Sequence, residues 1–97
     1  MQRKQESKPK QSKSFWQVGR AYLIRTVTMI DTGILVSIDD HEIVLSDAAW
    51  IADTGRFSDA LASSVFGEVE PYPRPVIVMK AAFVDVTEIG ELPTKQK

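Results

Sequence analysis

The sequence predicts a mostly-β domain: five short strands bent into a small, strongly curved sheet or barrel, with one helix inserted between the third and fourth strands. Three observations carry this reading. Two segments, Gly33-Ile-Leu-Val-Ser-Ile-Asp-Asp-His-Glu-Ile-Val-Leu-Ser-Asp-Ala48 and Val76-Ile-Val-Met-Lys-Ala-Ala-Phe-Val-Asp-Val86, read as bent, half-buried strand rich in β-branched residues. Between them the period changes: Phe57, Leu61 and Val65 fall at i, i+4 and i+8, one helical stripe. Turn signals at Asp31-Thr32-Gly33 and Asp39-Asp40-His41 punctuate the apolar runs.

Each element follows in order. Residues 1–14 are Gln, Lys, Ser and Pro with almost no apolar content, and disorder is expected there. Packing begins at Phe15 and Trp16, so residues 15–92 are expected to form one domain, with 93–97 as a disordered tail. The first strand is Ala21-Tyr-Leu-Ile-Arg-Thr-Val-Thr-Met29. Its alternation sets Tyr22, Ile24, Thr26 and Thr28 on one face and Leu23, Arg25, Val27 and Met29 on the other. Ile34 to Ile38 is the second strand and Glu42 to Trp50 the third. Asp53-Thr54-Gly55 then breaks the pattern, Thr54 or Ser58 can cap the helix, Asp59 suits its first turn, and Gly67 stops it. Glu68-Val-Glu-Pro-Tyr-Pro-Arg-Pro75 is an extended edge or loop, because proline cannot donate to a ladder. Val76–Met79 and Phe83–Val86 are the last two strands, joined by a bend at Lys80-Ala81-Ala82.

Composition narrows the function. At 97 residues the chain is one small domain, marginal alone, and oligomerisation is the natural remedy. It has no cysteine and one histidine, His41, which argues against disulfides, zinc sites and most nucleophile–base pairs. Asp39 and Asp40 beside His41 read as a tight turn rather than a metal or catalytic group. No cofactor, metal site or membrane span is expected; no apolar run approaches the roughly 20 residues a span needs. The basic start lacks an apolar core, so it is not a secretory signal, and a cytoplasmic protein is expected. Charge is unevenly placed. Residues 1–20 hold six Lys/Arg against Glu6 alone, while the rest holds six against twelve Asp/Glu. The tail reads as a solvated arm or as a contact for RNA, DNA or the acidic face of a partner subunit.

Gly33, Leu35, Asp39, Leu45, Asp47 and Ala48 match the outline of the first motif of the Sm-like fold, and Met79-Lys80-Ala81 stands where the second motif ends. The chain therefore resembles that family over about a third of its length. The resemblance implies a five-stranded barrel whose copies join through exposed edge strands into a homo-oligomer. Two departures bear on function. Glu42-Ile43 stands where RNA-binding Sm proteins carry a base-contacting Asn, and Lys80-Ala81 replaces an Arg-Gly pair. The family's uridine-binding role is not carried over; Lys80 alone matches in charge. Val18 to Thr28, Asp47 to Phe57 and Glu68 to Pro71 also resemble a group of small uncharacterised proteins encoded in tailed-phage genomes. That implies an infected bacterial host as the setting.

The densest chemical cluster is Trp50-Ile-Ala-Asp-Thr-Gly-Arg-Phe57. A glycine turn feeding a helix offers free N–H groups, Arg56 can grip a phosphate in bidentate fashion, and Trp50 or Phe57 can stack on a base. The alternative makes Trp50 and Phe57 core, Asp53 and Thr54 caps, and Arg56 a solvated rim residue. Arg25, among apolar neighbours, either pairs with Asp47, Asp85 or Glu88 or binds an anion, since a buried unpaired Arg is too costly. Arg74 and Tyr72 ride a proline-stiffened segment that lowers the entropy cost of recognition, or are plain loop residues. The expectation is a non-enzymatic, homo-oligomeric phage binding protein. It would sequester a small phosphorylated nucleotide, such as a host antiviral signal, as an anti-defence sponge. Two alternatives stay open: a virion or assembly protein acting by protein contacts only, and an Sm-like RNA-binding ring helped by the basic tail.

Overall fold

A computed structural model describes residues 15–97; the expectation of disorder over 1–14 lies outside the described residues. The chain forms β1 (Ala21–Thr26), β2 (Ile30–Ile38), β3 (Glu42–Asp53), α1 (Phe57–Ser63), β4 (Glu68–Pro71), β5 (Val76–Met79), a 3-10 turn (Lys80–Ala82) and β6 (Phe83–Glu88). All ladders are antiparallel. The sheet runs β4-β3-β2-β1-β6, and β5 joins it on β3. The mostly-β architecture with one helix inserted after the third strand is as expected. The proline-rich segment supplies a sixth, short strand at the edge, ending at Pro71 where the ladder loses its donor.

β3 serves two partners, and this is the source of the curvature. Its first half pairs β5 from Glu42↔Met79 to Leu45↔Val76, and its second half pairs β4 from Ala49↔Pro71 to Asp53↔Glu68. Asp47, between the halves, has φ 47°. The β2–β3 register slips there, from Thr32↔Ala49 to Ile34↔Ser46, so β3 carries an extra residue opposite Gly33. Such a bulge bends and overtwists a strand. Gly33 sits inside the bend: a Cβ on it would lie 2.7 Å from Leu45 Cβ and 3.2 Å from Ala48 Cβ. The sheet curls without closing. β5 and β6 share no ladder among the described residues, and the 3-10 turn alone joins them in sequence.

Curling produces two apolar clusters, one on each face. Tyr22, Ile24, Leu35, Ile43, Leu45, Ala48 and Val78 are buried in the first. Leu23, Ala49, Ile51, Ala60, Phe66, Val69 and Ile89 are buried in the second, under α1 and the chain after β6. The alternation expected for β1 holds over Tyr22, Leu23 and Ile24, with Tyr22 and Ile24 in one cluster and Leu23 in the other; the strand ends at Thr26 instead of Met29, and the chain turns at 27–29, ahead of the expected turn at 31–33. Trp16 packs on the first cluster, its ring 4.9 Å from Tyr22 and 6.0 Å from Phe83. The Tyr22 hydroxyl donates to the Phe15 carbonyl (3.0 Å) and accepts from Gln17 N–H (2.8 Å), which satisfies a buried polar tip.

The helix is shorter than its stripe suggests. Ser64, in the left-handed region with φ 60°, ends it, and its N–H donates to the Ala60 carbonyl at 2.7 Å. Val65 therefore lies beyond the helix and is 59% exposed. Neither Thr54 nor Ser58 caps it: Arg56 holds the cap position without a side-chain bond. Gly67 closes the excursion instead of the helix, donating its N–H to the Asp53 carbonyl at 2.8 Å. After Leu92, which packs on the second cluster, residues 93–97 are not the disordered tail expected: they return to β4, where Lys97 and Val69 exchange both backbone hydrogen bonds at 2.9 Å. Among the described residues no helix is long and apolar enough to cross a membrane.

Candidate functional site

Two of the expected ligand residues meet. Arg25 and Trp50 line one open concavity of about 320 Å³, with Thr26, Met29, Ile30 and Ile51 among its walls. It forms where the β1–β2 turn folds beside the second half of β3. Arg25 is fixed from two sides. Its Nε donates to Asp85 Oδ1 at 2.7 Å and its NH2 group to Asp85 Oδ2, a bidentate pair across the β1–β6 ladder. Its guanidinium lies over the Phe57 ring, 4.8 Å from the centroid. Of the three acids the sequence offers, Asp85 is chosen because it is the register partner of Arg25. The bond to Arg25 holds the Asp85 carboxyl below its ordinary range, and the bond to Asp85 raises Arg25. Two of the five guanidinium donors are thereby spent on an internal carboxylate.

The other candidates do not line this concavity. Arg56 is exposed in extended backbone just before Phe57. Thr54 Oγ1 donates to the Gly55 carbonyl at 2.8 Å, and the Asp53 carboxylate already accepts the Gly55 N–H at 2.8 Å. The turn expected to cradle a phosphate has its Gly55 N–H taken by its own acid. Arg74 is exposed on the connection between β4 and β5. Lys80 follows β5, where its N–H donates to the His41 carbonyl at 2.8 Å. The Asp39-Asp40-His41 segment is a turn: Asp39 Oδ1 accepts from His41 N–H (2.8 Å) and Glu42 N–H (2.9 Å), and these bonds lower the Asp39 pKa.

Tyr72 has a different task. Its hydroxyl donates to Asp31 Oδ1 at 2.8 Å, and its N–H donates to the Ala48 carbonyl at 2.8 Å. Asp31 is only 4% exposed, and burial raises its pKa. Burial and the Asp31 carboxylate push Tyr72 up to about 12. This pair pins the proline-stiffened loop onto the curled sheet. Asp31 belongs to the expected turn Asp31-Thr32-Gly33, but these residues lie inside β2, paired with Ile24, Leu23 and Tyr22 of β1, and that place in the sheet is what buries Asp31.

Two further features complete the electrostatic picture. Trp50 is flanked across the sheet by Asp31 on β2 and Glu70 on β4. A larger concavity, about 530 Å³, runs past Arg20, Ile34, Glu88 and Leu92, with Arg20 and Glu88 paired at 2.6 Å on its rim, and holds none of the expected ligand residues. No family model, curated protein or solved structure matches this chain.

Proposed function

We propose that this protein is a non-enzymatic binding protein that works as a homo-oligomer joined through the open edges of its curled sheet. One observation carries the reading. β5 and β6 each have a single ladder partner among the described residues, and both show aliphatic side chains to solvent: Ile77 is 56% exposed, Met79 50% and Val84 61%. Unpaired edges with apolar flanks are a hazard that natural proteins cover, and edge-to-edge pairing between copies covers both at once. The course β1-β2-β3-β5-β6, five strands apart from the short edge strand β4, with its bend at Gly33, supports an Sm-like reading of this assembly. Size-exclusion chromatography with light scattering tests it. An oligomer is expected at micromolar concentration, dispersed by Ile77→Lys with Met79→Lys; a clean wild-type monomer removes the reading.

The ligand that fits the Arg25–Trp50 concavity on this reading is a small phosphorylated nucleotide, with the indole under a base and Arg25 toward phosphate, and with Arg56, the residue before the Phe57 ring that lies under Arg25, as a second anchor from outside the concavity. In a phage setting such a protein would act as a sponge for a host signal. Calorimetry against cyclic nucleotides and ADP-ribose derivatives is expected to give saturable heat that Arg25→Ala and Arg56→Ala abolish. Silence across the panel, with the oligomer intact, leaves a second reading: an assembly protein acting by protein contacts alone. That reading is favoured by the engagement of Arg25 with Asp85 and by the separate locations of Arg74 and Lys80.

A further inference from the structure

Trp50 is a large apolar side chain, 39% exposed, with an acid opposite it on each neighbouring strand. Its register partners are Asp31 and Glu70, and direct cross-strand partners bring their Cβ atoms to about 4.5–5.5 Å. Glu68 shares the Glu70 face of β4, because Val69 between them points into the second cluster. Asp53 is the register partner of Glu68. Asp53, Glu68 and Glu70 are all exposed. The cation sharing the Trp50 concavity, Arg25, is already matched by Asp85. The π face of an indole and a rim of carboxylates attract the same thing, a cation, and a lysine or arginine also lays its methylene stem on the ring.

The chain itself carries a partner of that chemistry. Residues 1–14 hold five Lys/Arg against Glu6, facing a domain in which acids outnumber bases twelve to six from residue 21 onward. Fourteen residues reach at most about 46–50 Å when extended, beyond the roughly 30 Å diameter of a small domain. β4 moreover already accepts one lysine-bearing extended segment: Lys97 exchanges both backbone hydrogen bonds with Val69 at 2.9 Å. Pro93-Thr-Lys-Gln-Lys97 and Pro9-Lys-Gln-Ser-Lys13 are built from closely similar residue types.

We propose that the basic segment 1–14 of this chain docks on the sheet face of Trp50, Asp53, Glu68 and Glu70, with a lysine or arginine over the indole. This inference is independent of edge assembly, since it uses neither the β5 nor the β6 edge; it shares the Trp50 indole with the nucleotide reading, so the two occupants compete for one face. The full-length Trp16→Phe chain makes Trp50 the sole tryptophan. Acrylamide quenching of Trp50 is expected to rise when Arg3, Lys4, Lys8, Lys10 and Lys13 are all changed to Gln. It is expected to rise equally in about 1 M salt, where the screening length falls to about 3 Å. A synthetic peptide of residues 1–14 added to the Gln-substituted chain restores protection. Its affinity falls about two- to fivefold in Trp50→Leu, the range of an exposed cation–π contact. Should that variant not fold, Glu70→Gln, at an exposed position, is expected to weaken the peptide as measured by calorimetry. Quenching unchanged by the Gln substitutions, or peptide binding indifferent to Glu70, overturns the proposal. So does a Gln-substituted chain that loses RNA retention while Trp50 protection stays the same.

Discussion

Two acid-containing pairs tie this sheet together, and they behave in opposite ways. Asp31 and Tyr72 join β2 to the loop after β4 in a nearly dry setting; Arg25 and Asp85 join β1 to β6 in water. Burial raises the Asp31 pKa, so the fold favours its protonated form. That contribution is fully present below the ordinary carboxylate range and is lost as pH rises through the raised value. Asp85 is lowered by its bond to Arg25. Its contribution is present above the ordinary range and is lost as pH falls through the depressed value. Burial therefore makes the Asp31 site an acid-side contribution, which the Tyr72 hydrogen bond opposes by favouring the carboxylate, while the Arg25–Asp85 pair contributes on the neutral side. Solvent access decides the side.

The contrast can be broken at its strongest point first. Tyr72→Phe leaves a buried carboxylate without its phenolic donor and is expected to cost about 1–3 kcal/mol in urea unfolding at neutral pH. No loss there would mean that Asp31 is better hydrated than its burial implies. Gly33→Ala tests whether the bend that buries Asp31 is as tight as its contacts suggest. The added methyl meets Leu45 Cβ at 2.7 Å, and such overpacking typically costs about 1–3 kcal/mol. Asp31→Asn keeps an acceptor for Tyr72 while removing the charge. It is expected to stabilise the fold at neutral pH, with the gain disappearing below the carboxylate range; a pH-independent effect would assign it to packing. Thr32, beside Asp31, has a buried hydroxyl with no partner among the described residues. Thr32→Val is expected to raise the urea midpoint by removing an unpaired polar atom. The smallest effect belongs to Asp85→Asn. Exposed ion pairs contribute little and are screened by salt, so its shift is expected to be the least of the set and to vanish in concentrated salt.

The same contrast marks what could be read from residues alone. The strands, the Asp39-Asp40-His41 turn and the switch to helical period are legible in Tyr22–Ile24, Ile34–Ile38 and Phe57–Leu61, because alternation and turn chemistry are local; the other turn signal, Asp31-Thr32-Gly33, is strand instead, held in β2 by its ladder with β1. That Arg25 needed an acid was visible too, but three acids qualified. Only the β1–β6 register, set by strands far apart in sequence, selects Asp85. Trp50, Arg56 and Phe57 looked like one site since they are close in the chain. The fold sends Trp50 to a sheet face among carboxylates and Phe57 beneath Arg25. Thr54 does not cap the helix because the helix starts at Phe57 with Arg56 in the cap position, and the Gly55 N–H is already taken by the Asp53 carboxylate.

Sequence by itself determined that the domain is a small curled sheet with a helical excursion, and that its acids and bases are segregated along the chain. These follow from local propensity and from counting charge. Tertiary structure alone decided which acid Arg25 meets, that Asp31 is buried, and that Trp50 stands between two carboxylates. Each of those is a matter of strand register and of one bulge at Asp47, where a shift of a single residue moves a side chain to the other face.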